Sequence, residues 1–341
     1  MSDEILSIGA KQTPYFRNQL FSNIVLESEQ LLLEFVNAPK NSRVIFLTAS
    51  GTAGMESVVM NILNQQNNAL IVNGGGFGQR FVDICKSYDI THSELNPKNL
   101  DLSDIDNIDG SSYDTFIVNA HETSIGKLYN LDNIGTFCKK YNLLNIVDAI
   151  SMFITDPLDM QRHNIDIAII SSQKGLALPP GLTMVILNPK AINKINTIKN
   201  HYFNFLNYLE DGKRGQTPYT PAVSIILQLF YRLKQIQKDG GINFTINQAK
   251  QIATYFRENI QNLPLAPYTQ YMPNAMTALT PTDNKKAIDI VNILENRYKT
   301  IVCPNGGKLK NKIFRVSHMG DMNIEYIDIL IKKLQKLYKF F

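Results

Sequence analysis

Ser171-Ser172-Gln173-Lys174-Gly175-Leu176-Ala177-Leu178-Pro179-Pro180-Gly181 follows the apolar run Ile165-Asp166-Ile167-Ala168-Ile169-Ile170. The run reads as a buried strand, and the small hydroxyl residues after it as the loop at its carboxyl end. Pro179 and Pro180 fix the course of that loop. Most lysines are exposed and inert, so Lys174 stands out only through this setting. Upstream, Leu143-Leu144-Asn145-Ile146-Val147 is a second apolar run, and it ends in Asp148. A lone Asp there is usually a helix cap.

Working outward, short apolar runs alternate with amphipathic stretches. Strands are expected at 44–48, 69–72, 115–118, 145–147, 165–170 and 183–187, and helices at 51–63, 77–88, 131–141 and 191–198. This alternation predicts an α/β fold with a mostly parallel, mixed sheet between helices. Beyond residue 225 the pattern changes. Helices are expected at 222–238, 242–263, 284–296 and from 324, with strands near 300–302 and 313–316. That is a small α+β unit. The expected organization is a short N-terminal segment (1–20), a large domain (21–235) and a small C-terminal domain (236–341).

The 341 residues carry a net charge of +4 from 34 basic and 30 acidic residues, too balanced to argue for nucleic acid. No run approaches the ~18 apolar residues of a membrane span. Cys85, Cys138 and Cys303 lie far apart, so neither a disulfide framework nor a metal site is indicated. Nothing resembles a leader at the N-terminus, and a cytoplasmic location is expected.

A strand delivering a carboxylate, followed by a lysine among hydroxyl residues, suits pyridoxal 5'-phosphate (PLP). The amine of Lys174 forms a Schiff base with the cofactor aldehyde, and Asp148 keeps the ring nitrogen protonated. Ser50-Gly51-Thr52-Ala53 joins a strand to a helix and offers backbone N–H groups to an anion. Phe77, in Asn73-Gly74-Gly75-Gly76-Phe77-Gly78, can stack on a flat ring. This stretch does not match the dinucleotide-binding glycine pattern. Thr123, in His121-Glu122-Thr123-Ser124, follows a strand end. Arg315 lies on the strand Ile313-Phe314-Arg315-Val316 and suits a carboxylate if it faces a cleft.

At these residues the chain resembles the class V aminotransferases of PLP fold type I, the group of alanine–glyoxylate, serine–pyruvate and 2-aminoethylphosphonate transaminases. The most specific stretches are residues 50–56, 73–80, 121–126, 147–151, 172–181, 217–221 and 314–316, in order and at fitting spacing. The resemblance implies that Lys174 is the Schiff-base lysine and Asp148 the pyridinium partner. It further implies that Ser50, Gly51, Thr52 and Gln173 hold the phosphate end. Phe77 takes the ring-stacking position, in a chain with no Trp, while Thr123 contacts the ring hydroxyl and Ile150 presses on the opposite face. The family is a homodimer with shared active sites, so Thr220, with Gln216, is expected at the neighbouring subunit's phosphate. Arg315 is expected on the substrate α-carboxylate. By the same resemblance, the Gly-Pro-containing arm usual at the start of relatives is expected to be shortened or missing ahead of Tyr15-Phe16-Arg17.

The implied activity is amino transfer between an amino acid or small amine and a keto acid such as pyruvate or glyoxylate. The alternatives are a 2-aminoethylphosphonate-type transaminase and a PLP-dependent lyase, cysteine-desulfurase-like or decarboxylating. A desulfurase needs a cysteine on a mobile loop, for which Cys303 is the candidate. A non-enzymatic binding protein would have no use for both Asp148 and Lys174.

Overall fold

A computed structural model describes residues 1–97, 102 and 105–339. Two helices precede the first strand, α1 (Asp3–Gly9) and α2 (Gln19–Phe35). Neither helix is expected from the sequence, where residues 1–20 read only as a short N-terminal segment. In α2, Asn18 caps the first turn by accepting from Phe21 N, and Phe21, Val25 and Leu32 recur on the buried face.

The large unit then runs β1 (Arg43–Leu47), α3 (Gly51–Ile62), β2 (Asn68–Val72), α4 (Gly76–Ser87), β3 (Thr91–Leu95) and β4 (Thr115–Asn119). A two-stranded ribbon follows, β5 (His121–Glu122) with β6 (Lys127–Leu128). Next come α5 (Leu131–Lys140), β7 (Leu144–Asp148), β8 (Ile167–Ser171), β9 (Thr183–Leu187), α6 (Pro189–Ile192), α7 (Phe205–Gly212) and α8 (Val223–Lys238).

Seven strands pair in the order β1-β9-β8-β7-β4-β2-β3. Strand β9 runs antiparallel to both neighbours, and the other pairings are parallel. Strands β4, β7, β8 and β9 are buried at every position, which is why they read as unbroken apolar runs. Alternate residues serve opposite faces. Ala168 and Ile170 join the core under α1, α2, α5 and α8, whereas Ile167 and Ile169 join the core under α3, α4 and α7.

The remainder is α9 (Ile242–Asn259), β10 (Leu265–Pro267), β11 (Met276–Pro281), α10 (Ala287–Asn296), β12 (Cys303–Pro304), β13 (Phe314–Ser317) and α11 (Ile324–Lys339). Its four strands form an antiparallel sheet, β10-β11-β13-β12, with a third core of its own between that sheet and the helices.

Several expected elements differ. The helix expected over 191–198 is the single turn α6, because Asn188 caps it by accepting from Ala191 N and the chain then leaves toward Asn61. Strand pairing expected at 300–302 occurs instead at Cys303–Pro304, where the register with β13 places Cys303 opposite Arg315. Strands β3 and β10 and helix α7 have no counterpart in the sequence reading. No helix among the described residues is long and apolar enough to cross a membrane.

Candidate active site

The carboxyl ends of β4, β7 and β8 deliver Asn119, Asp148 and the Ser171–Lys174 turn to one place, and the amino ends of α3 and α4 point into it. Between them lies a cavity of about 190 Å³. Its walls are Ser50, Gly51 and Thr52 from α3, Phe77 and Arg80 from α4, and Asn119, Thr123, Asp148, Ile150, Gln173 and Lys174. A larger surface groove, about 600 Å³, runs past Val59, Tyr88 and Ile198. It has no acid or histidine in its lining and offers no comparable chemistry.

Asp148 is 1% exposed. One carboxylate oxygen accepts from Ile150 N (2.9 Å) and the other from Asn119 Nδ2 (2.6 Å). Burial nevertheless dominates and pushes its carboxyl up to about 6, against these two hydrogen bonds and the nearby Lys174. The site therefore holds a carboxylate short of positive charge. Asn119 Oδ1 is also buried without a hydrogen-bond partner.

Burial lowers the Lys174 ammonium from its ordinary value. Asp148 opposes that shift, and Arg315 adds to it. The loop around this lysine is rigidly defined. Ser172 Oγ donates to Pro179 O (2.6 Å), Ser171 Oγ to Gln173 Oε1 (2.6 Å) and Ala177 N to Lys174 O (2.9 Å).

Ser50 is exposed and caps α3 through Ala53 N (3.3 Å). Gly51 permits close approach, since a Cβ there would meet Ile150 Cδ1 at 2.6 Å. Glu122, 1% exposed, caps α4 by accepting from Phe77 N (3.1 Å) and Gly78 N (3.0 Å). The Arg80 guanidinium stands 4.7 Å from the centre of the Phe77 ring and donates to Thr52 Oγ1 (2.9 Å).

Arg315 reaches the large unit from β13. Its Nη1 donates to Thr123 O (3.0 Å) and its Nη2 to Pro304 O (2.8 Å), with Cys303 Sγ at 2.9 Å from Nη2. Its Nε is buried with no hydrogen-bond partner. His121 Nδ1 faces Ser151 O at 3.2 Å, and burial pushes its pKa down to about 3, so the ring is neutral.

Thus the cavity brings together Lys174, Asp148, Ser50, Gly51, Thr52, Phe77, Thr123, Ile150 and Gln173. Thr220 and Gln216 are not among its walls. Thr220 is exposed. Gln216 is buried, donating to Phe16 O (3.1 Å) and Ser22 Oγ (2.5 Å) and accepting from Arg17 (3.3 Å). Its amide ties the N-terminal region to the 215–222 loop. Sequence reasoning gave no role to Asn119, Arg80 or Glu122. The register of β4 with β7, which sets Asn119 opposite Asp148, is the signal that finds the first.

The aromatic wall, the N-terminus of α3 beside Arg80 and an acid lacking a cation fit a phosphorylated pyridine carrying a protonated ring nitrogen. The orphaned Asn119 Oδ1 and the lysine on the same cavity agree with that fit.

The profile of the aminotransferase class-V family matches residues 10–317. The chain belongs to the class V aminotransferase family. It is a PLP-dependent transaminase of fold type I. It is 29% identical over 334 residues to an uncharacterized aminotransferase of Methanocaldococcus jannaschii, covering 93% of this chain and 84% of that protein. It is 25% identical over 356 residues to an alanine–glyoxylate aminotransferase of Felis catus, covering 98% and 84%. The crystal structure of an alanine–glyoxylate aminotransferase from Nostoc sp. superposes with a TM-score of 0.92 at 21% identity, covering 99% of this aminotransferase and 92% of that chain.

Proposed function

We propose that this aminotransferase moves an amino group from an amino acid or small amine to a keto acid such as pyruvate or glyoxylate, by a ping-pong sequence. The observation that carries the reading is that Lys174 and Asp148 line one cavity, with Arg315 held at its Thr123 wall.

PLP, when bound, supplies the electron sink that stabilizes a carbanion at the substrate α-carbon. Lys174 would hold it, and the buried amine, lowered toward its free-base form, takes the proton from the α-carbon of the donor. Asp148, oriented by Asn119 and Ile150, holds a proton at the ring nitrogen. Phe77 and Ile150 would sandwich the ring, and Thr123 would contact its hydroxyl. Gly51, Thr52 and Gln173 would hold the phosphate, with Ser50 setting the helix terminus. Arg315 turns toward the substrate carboxylate, exchanging its backbone contacts for a bidentate pair.

The active form is a homodimer in which Thr220 of one copy approaches the phosphate end of the other's cavity. Thr220 suits this because it is exposed, and its loop is tied to the strand before Ser50 by Ala222 N donating to Thr48 Oγ1 (2.8 Å). Gln216 stands on the same loop and supports it from within the chain, its amide donating to Phe16 O and Ser22 Oγ. A 2-aminoethylphosphonate donor is compatible with the same site, because Arg315 then serves the keto acid. The lyase alternative finds no support in Cys303, which is strand-paired with Arg315.

The test is Lys174→Ala. It is expected to abolish amine exchange and remove the visible absorption of lysine-bound cofactor; retention of both would overturn the assignment. Incubating the yellow enzyme with alanine, serine, aspartate, glutamate and 2-aminoethylphosphonate, and following loss of that absorption, identifies the donor.

A further inference from the structure

Arg80 stands where the two helix N-termini meet. Its guanidinium donates to Thr52 Oγ1 of α3, 2.9 Å away, and its Cζ lies 4.7 Å from the centre of the Phe77 ring, one turn back on α4. It makes no ion pair with a carboxylate among the described residues. Among the described residues of the cavity wall Asp148 alone is a carboxylate, and it is already engaged by Asn119 and Ile150. The N-terminus of α4 is already met by the Glu122 carboxylate, so it is the N-terminus of α3 and the Arg80 guanidinium that leave positive potential at one end of the cavity, where an anion would be favoured.

The hydrogen-bond directions are informative. A guanidinium can only donate, so Thr52 Oγ1 must accept from Arg80. The hydroxyl hydrogen of Thr52 is then left to be donated elsewhere, and the cavity, which Thr52 lines, is where an acceptor anion would sit. The same guanidinium holds the Phe77 ring by a cation–π contact. One side chain thus connects the group that meets the phosphate with the group that meets the ring.

We propose that Arg80 is a positioning residue for the cofactor, orienting Thr52 as a donor to the phosphate and fixing the plane of Phe77. The proposal rests on the PLP reading above and adds a residue to it. Arg80 also contributes, after burial and Arg315, to lowering Lys174.

The experiment titrates the apoenzyme with PLP and, separately, with pyridoxal, which lacks the phosphate. Wild type, Arg80→Met, Thr52→Val and the double variant are compared. Arg80→Met is expected to raise the Kd for PLP about 30-fold, the scale of one charge-assisted hydrogen bond, and that for pyridoxal less than about threefold. The visible circular dichroism of bound PLP should fall in Arg80→Met. The two substitutions should be non-additive, because both remove the same contact. Equal weakening of PLP and pyridoxal, strict additivity, or an unchanged Kd and dichroism would each overturn the proposal.

Should Arg80→Met not fold, Arg80→Lys serves. It keeps the charge and loses the planar fork, and is expected to bind PLP more weakly than wild type with diminished dichroism. Equality with wild type in both would overturn the role of the guanidinium. Failure of wild type to take up PLP at Lys174 would instead refute the cofactor reading itself.

Discussion

Asn119 and Asp148 stand opposite each other at the carboxyl ends of neighbouring parallel strands, with Nδ2 of the amide 2.6 Å from Oδ2 of the carboxylate. The amide restrains the acid but does not neutralize it, and burial leaves Asp148 pushed up to about 6. A proton is therefore held more tightly in the folded apoenzyme than in the unfolded chain, whose value is near 3.8. The stabilization from that proton is complete below pH 3.8 and is lost as pH rises through 6. Relative to Asp148→Asn, which does not titrate, the wild-type apoenzyme should lose about 3 kcal/mol across this window, from the roughly 1.4 kcal/mol that each pH unit represents. Parallel urea unfolding of the two apoproteins from pH 4 to 7 measures it. A constant difference would show that the acid is not buried as described.

Arg315 should separate substrate recognition from cofactor retention. Replacing it with Gln removes the proposed bidentate partner of the substrate carboxylate and is expected to raise KM for the keto acid about 100-fold, while the enzyme stays yellow. Lys at this position should recover only part of the loss. An unchanged KM would place the carboxylate elsewhere.

Glu122 is a buried cap. Its carboxylate accepts from Phe77 N and Gly78 N and from Ser124 Oγ (2.6 Å). Glu122→Gln turns an amide toward these donors and should cost about 2 kcal/mol of stability, read as a lower urea midpoint. Phe77 sits on the first turn of α4, so weaker cofactor binding should accompany the loss.

Cys303 decides between transfer and desulfuration. Its thiol is exposed and paired across β12 and β13 with Arg315. Cys303→Ser should alter amine exchange by less than about tenfold, the scale of one neutral contact. Sulfide release from cysteine should be absent in both forms. Release by wild type alone would establish the lyase.

Much of this was legible in the sequence because the central strands are buried on both sides. Val44–Leu47, Ile117, Val147 and Ile169 announce themselves as apolar runs, and the residues just past them are where an α/β sheet keeps its chemistry. Strand β3 was not legible, because Thr91-His92-Ser93-Glu94-Leu95 lies at the sheet edge and carries polar side chains. Asn119 and Arg80 escaped for a different reason. Each matters through a contact with a residue 28 or 29 positions away, and neither has a local pattern to mark it. Gln216 shows another kind of contact that no local pattern marks: within one chain its amide donates to Phe16 O and Ser22 Oγ and so secures the N-terminal region.

Every described wall of the proposed cofactor cavity comes from the large unit, whereas Arg315 is supplied by the small one and meets the large unit at the carbonyl oxygen of Thr123. On the proposed reading, colour and turnover depend on different parts of the chain. A lesion that lets the small unit drift would leave a preparation fully yellow yet idle, so absorbance alone would be a poor assay of competence.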